Sequence, residues 1–237
     1  MKKLLKFIFR VLLCAVLLFA GYAVLGGYRK MRAVMSNRPL ETAVAEYTSA
    51  ENYLTYDRIP SDFVDATVSV EDKRFFSRSG YDFIALGRAI LSNIRHGEIV
   101  EGGSTIPQQI AKNLYFHFAD TSVTTKTAQV FILYQLESHY SKEELFALYA
   151  NMNYYGDGYY GLYNASKGYF KKDPMDLTLA EAALLAGIVN APSAYQLSTG
   201  YDLAILRQHK VLETMLDNEK ITEEQYSDAL NETIPKP

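Results

Sequence analysis

A run of 17 residues without a charge, VLLCAVLLFAGYAVLGG at 11–27, limits what this chain can become. As a helix it spans about 25 Å at 1.5 Å rise per residue, close to the hydrocarbon core of a bilayer. Arg10 precedes it and can reach the headgroups with its long side chain, and the basic stretch YRKMR follows. A cleaved secretory leader would carry a shorter apolar core and a small-residue cleavage site, and no convincing one precedes YRKMR. Residues 1–32 are therefore expected to form an uncleaved, basic-flanked transmembrane anchor. Basic residues at both ends make orientation a weak inference from charge. Cys14 is the one cysteine, which rules out an internal disulfide, and Leu13 is too large to precede a lipidated cysteine.

The charge of −3 conceals a split. Residues 1–32 hold seven Lys or Arg and no acid, which leaves 17 bases and 27 acids in the rest. A domain of that sign repels polyanions, so no nucleic-acid partner is expected.

Residues 33–55 read as a linker into a domain at 56–237. That domain is patterned for helices. DFIALGRAILSNIRHG places Phe83, Leu86, Ile90 and Ile94 on one face and stops at Gly97. Three capping boxes open further helices: Ser141 with Glu144, Thr178 with Glu181, and Thr222 with Gln225. No convincing alternating strand pattern is present. An all-α domain behind one transmembrane helix is predicted.

Two stretches carry candidate chemistry. EDKRFF at 71–76 sets four charges directly after the mostly apolar run FVDATVSV. This is either a helix end meeting water or an acid held at the wall of a cleft. EGGSTIPQQIAKN at 101–113 has Thr105 and Gln108 at capping-box spacing and Pro107 in a first helical turn. A glycine-led helix start also offers free N–H groups to an anion, with Lys112 one turn on.

The order of the motifs discriminates further. VSVEDKRFFSRSGYDFIALGRAI is followed by GGSTIPQQIAKNLY, then LYANMNYYGDGYYGLYNASKGYF, then LTLAEAALLAGIVNAPSAYQL. This series closely resembles the peptidoglycan glycosyltransferases of family 51, over about residues 56–197. Those enzymes include the polymerising domains of bifunctional penicillin-binding proteins and shorter monofunctional transglycosylases, and this chain looks like the monofunctional type.

The resemblance implies a mainly helical, lysozyme-like, two-lobed domain. It implies polymerisation of lipid II outside the plasma membrane, with undecaprenyl pyrophosphate released and inversion at MurNAc C1. Lipid II, the growing glycan strand and the plasma membrane become the expected partners, with penicillin-binding transpeptidases as candidate protein partners. No covalent cofactor is implied; a divalent cation, Mg or Mn, is compatible, with no ligand set identified. Residue by residue, Glu71 falls on the family's catalytic base and Asp72 on the adjoining acid. Lys73, Arg74, Phe75 and Arg78 continue the first motif. Ser104, Thr105, Gln108, Gln109, Lys112 and Asn113 are carried over as substrate-binding residues. Asn151, Tyr155, Gly156 and Gly161 match a fold-shaping motif, and Glu181 matches the fifth.

The third motif departs from the pattern. The family reads Arg-Lys-x-x-Glu; this chain reads TKTAQ at 125–129. Lys126 is kept as a binding residue. Thr125 replaces arginine, and Gln129 stands at the position of the second catalytic glutamate. Arg78 also stands where histidine is usual. Threonine cannot grip phosphate with a two-point fork, as arginine can. Two functions follow from this: an active glycosyltransferase with Arg78 or Arg74 supplying some of the missing charge, or a catalytically weak homologue that binds lipid II as a membrane scaffold.

Overall fold

The computed structural model describes residues 2–97, 103–116 and 121–236, the side chains of Ala89, Ile90, Asn93 and His96 excepted. Gly102, read with Gly103 as the lead-in to a helix, lies outside the described residues, as does the Ile90 side chain.

The expected all-α fold is present. Among the described residues the helices are α1 (Lys2–Asn37), α2 (Leu40–Thr48), α3 (Ser61–Glu71), α4 (Phe83–His96), α5 (Ile106–Tyr115) and α6 (Val123–His139). They continue as α7 (Lys142–Met152), α8 (Leu162–Phe170), α9 (Leu179–Ile188), α10 (Pro192–Tyr195), α11 (Leu197–Asp217) and α12 (Glu223–Asn231). A lone bridge between Tyr154 and Tyr160 is the extent of β structure among them.

The core is built around α9. Its sequence LAEAALLAGI is apolar nearly all round, the signature of a helix enclosed on every side, and every residue from Ala180 to Ile188 is buried. Small side chains let α3 and α11 pack close against it. A Cβ on Gly187 would come 3.0 Å from Arg207 Cγ, so the glycine gives passage to the Arg207 stem. The three capping boxes all form, on α7, α9 and α12.

On the far side of the domain α5 packs on α6 and α7, and α6 packs on α1. α1 is the one described helix long and apolar enough to cross a membrane. At 36 residues it outruns the uncharged segment. Its C-terminal part is part of the domain: Gly27 and Met31 are buried, and Tyr28 meets Phe131 edge-on at 5.8 Å.

The stretch 33–55, read as a linker, is packed. α1 runs on to Asn37, and α2 buries Leu40, Ala43 and Val44. Leu54 is tied to α7 by two bonds: its N–H donates to Asn151 Oδ1 at 2.9 Å, and Asn151 Nδ2 donates to its carbonyl at 2.8 Å. The apolar spacing in LETAV is too short to signal a helix alone, and the domain core supplies what it packs against. By contrast, Phe83, Ile84, Leu91 and Ile94 on α4 are exposed.

Candidate active site

The run EDKRFF turns where α3 ends. Asp72 leaves helical geometry at φ −159°, ψ 72°. Phe75 then brings the chain back into the core, wholly buried against Phe146 and Phe76. The charges between are held at the wall of a cleft of about 750 Å³. Glu71, Asp72, Lys73, Arg74, Ser104 and Thr105 all line it, so the two chemical stretches of the sequence converge in space.

Glu71 is the last residue of α3. Gln109 Nε2 donates to its Oε2 at 2.6 Å. Burial pushes its carboxyl above the ordinary value; the Gln109 bond and the charges of Arg207 and Lys112 oppose this, and Asp72 adds to it. The partial negative charge of a helix C-terminus acts in the same upward direction.

Asp72 serves a different purpose. It is paired with Arg78, and its Oδ2 accepts from the Ile106 N–H at 3.1 Å. It therefore caps α5 across the chain. Thr105 is the N-cap residue by position, but its side chain makes no capping bond, and its buried hydroxyl has no hydrogen-bond partner. The capping box expected between Thr105 and Gln108 is absent: Gln108 directs its side chain to Gln129 on α6, and Asp72 caps the helix at the Ile106 N–H instead.

Several residues matched to the family motifs have partners within the protein. Phe75 is core. Arg78 is pinned by Asp72, Asp82, Glu137 and the Gly80 carbonyl, with 11% of its side chain exposed. Arg74 lines the cleft while paired with Asp82. Burial would raise the Asp82 carboxyl, but the Ala85 N–H and the two arginines hold it low. Asn113 Nδ2 donates to Asn153 Oδ1 at 3.1 Å, towards α7 and away from the cleft. Glu181 keeps its capping box and accepts from Lys172 at 2.8 Å.

The altered third motif lies on α6. Gln129 is buried, and its Oε1 accepts from Gln108 Nε2 at 3.4 Å. Thr125 is fully buried, whereas Lys126 is exposed. Burial and the charge of Lys126 lower the Lys112 ammonium, and Glu71 opposes them.

Arg88, Asn190, Arg207 and Lys210, none of them marked in the sequence as a site residue, also line the cleft. Arg207 Nε is buried without a hydrogen-bond partner. A signal was available: Arg207, Lys210 and Thr214 recur at helical spacing along α11, with Asn218 at its C-cap, and form one polar stripe.

Among the described residues no three of His, Cys, Asp and Glu gather to hold a metal ion. Asp72 and Asp82 are each paired with an arginine.

A family model described as transglycosylase matches residues 37–216. Penicillin-binding protein 1A of Neisseria lactamica is 36% identical over 234 residues, covering 96% of this chain and 29% of that protein. Its counterpart in Aquifex aeolicus is 38% identical over 182 residues, covering 77% of this chain and 25% of that protein. The crystal structure of penicillin-binding protein 1A from Haemophilus influenzae aligns over 55% of this chain and 16% of its own length, at 28% identity and a TM-score of 0.39, too slight a likeness to carry an argument. The chain thus spans about a quarter of the length of the curated relatives it matches. With more than half of its residues inside the matched model, the chain belongs to the transglycosylase family.

Proposed function

We propose that the chain is a peptidoglycan glycosyltransferase that joins lipid II units into glycan strands. The observation that carries this reading is Glu71: a carboxyl with a raised pKa, oriented by Gln109 and facing a cleft lined by Arg207. In the reaction the 4-hydroxyl of the acceptor GlcNAc attacks C1 of the donor MurNAc. Glu71 takes the hydroxyl proton as the new C1–O bond forms. The C1–O bond to phosphate breaks, and undecaprenyl pyrophosphate leaves with the electron pair. Attack opposite the leaving group inverts C1. Cations beside the departing oxygens stabilise the charge that develops there, a role suited to Lys112, Lys126 and Arg207. A divalent ion, if required, would enter with the pyrophosphate.

α1 would hold the domain at the extracytoplasmic face of the plasma membrane, where both lipid-linked substrates lie. Transpeptidases that cross-link the strands are the fitting protein partners. The direct test is purified full-length protein with labelled lipid II, the products resolved by size. A ladder of glycan strands supports the reading.

A second reading has its own observation. Gln129 forms a neutral pair with Gln108 where the family pattern has a glutamate. If the missing carboxylate is essential, the protein is a weak homologue that binds lipid II as a membrane scaffold. Lipid II binding without polymer would favour it.

A further inference from the structure

We propose that Lys30, on the N-terminal apolar helix, supplies the positive charge that position 125 lacks, and so helps to hold the anionic leaving group. The inference rests on the glycosyltransferase reading for the identity of that group, and on the structure for the placement of the charge.

Lys30 Nζ donates to Thr125 Oγ1 at 2.6 Å. The ammonium therefore lies at the tip of the Thr125 side chain, in the volume through which a longer side chain at 125 would run. Two glycines make this reach feasible. A Cβ on Gly26 would come 2.6 Å from Thr124 Cγ2, and one on Gly27 would come 2.6 Å from Thr127 Cβ. Only with bare backbone there can α1 lie this close to α6. Lys30 is four residues from Gly26 and three from Gly27, so it projects from the same face of α1.

The position is also the right one along the helices. The Gln108–Gln129 contact sets the register of α5 against α6. One turn further along α5 is Lys112; one turn back along α6 are Thr125 and Lys126. The charge of Lys126 lowers the Lys112 ammonium, as expected of neighbours in this next layer. Lys30 enters the layer from a third helix. Three cations from α1, α5 and α6 thus stand about one turn from the glutamine pair, where the C-terminal part of α1 packs into the domain. An anionic group attached to a membrane lipid would arrive there. Of the two arginines that could supply the missing charge, Arg78 is held by three carboxylates and Arg74 is paired with Asp82.

The test uses full-length protein in detergent micelles, with farnesyl pyrophosphate as the binding probe and lipid II polymerisation measured in parallel. Lys30→Gln keeps a hydrogen bond to Thr125 but removes the charge, and should weaken probe binding about tenfold, the loss of one charge-assisted contact. Thr125→Arg alone should lower the melting temperature, because it forces two cations into one closed space. Lys30→Gln combined with Thr125→Arg should bring probe affinity back to within about threefold of the parent, as strongly coupled neighbours do. A purely structural contact would not be rescued by moving the charge to the other helix. Unchanged affinity in Lys30→Gln overturns the proposal, as does failure of the double variant to recover while its melting temperature matches the parent. A parent that does not bind the probe overturns it as well. If the parent makes no polymer but the loss and recovery of binding occur, the charge assignment stands and the glycosyltransferase reading falls.

Discussion

Two neighbouring acids, Glu71 and Asp72, differ by one position and have opposite fates. Glu71 faces the cleft with its carboxyl raised by burial; Asp72 turns inward to Arg78 and the start of α5. As a base Glu71 must be ionised, so polymerisation should rise with pH through an apparent pKa above the usual carboxylate range. Glu71→Gln should cost about 10²–10⁴-fold in rate. Its effect on stability has the opposite sign. A carboxyl whose folded pKa is raised stabilises the fold below its unfolded pKa, and that contribution is lost as pH rises through the folded value. At pH 7 the melting temperature of Glu71→Gln should therefore equal or exceed the parent's. A clear drop, or retained polymerisation, would reject the assignment. Arg78 contrasts with this. Removing it leaves Asp72, Asp82 and Glu137 without a shared cation, and breaking a buried ion pair in this way typically costs about 3–5 kcal/mol. Arg78→Ala should therefore lower the melting temperature by about 10 °C in a chain of this size. A loss of activity with unchanged melting would instead return Arg78 to the substrate.

At the scale of elements, helix starts and close contacts decide. Thr178 caps α9, the most enclosed helix, and its hydroxyl also donates to Glu232 at 2.7 Å. Thr178→Ala should cost about 0.5–2 kcal/mol, read as a shift in denaturant midpoint at constant slope. The seam between α1 and α6 gives a sharper contrast. Gly27 lies against Thr127, while Gly21 has nothing within 4 Å of a Cβ. Gly27→Leu should separate the helices and reduce polymerisation, and Gly21→Leu should leave it unchanged. Equal effects from the two would mean that α1 only tethers the domain.

At the scale of the molecule, α1 does two jobs. Its large apolar side chains are exposed from Leu4 to Leu25, and its last turns are packed into the domain. With α1 spanning the membrane as proposed, the domain would sit directly at the membrane surface, on the side reached by the helix C-terminus. Protease added to intact, wall-stripped cells should digest it. Protection until lysis would place it on the cytoplasmic side and exclude lipid II polymerisation at the outer face.

The sequence by itself determined the all-α character, the apolar helix and the capping boxes on α7, α9 and α12, because these follow from local spacing and local hydrogen bonds; it did not show α2, whose short apolar spacing needs the core to pack against. It also located Glu71 and the residues of the 101–113 stretch that meet it, through the order of its motifs. What each charged side chain does was not legible, because that depends on partners far away in the chain. Asp72 becomes a cap only because Ile106 folds against it. Arg78 becomes a cross-link only because Glu137 lies across from it. Arg207 joins the cleft through α11, more than a hundred residues from Glu71, and Lys30 reaches Thr125 across 95 positions. Burial turns such encounters into large energies, and only the tertiary structure decides which charges are buried together.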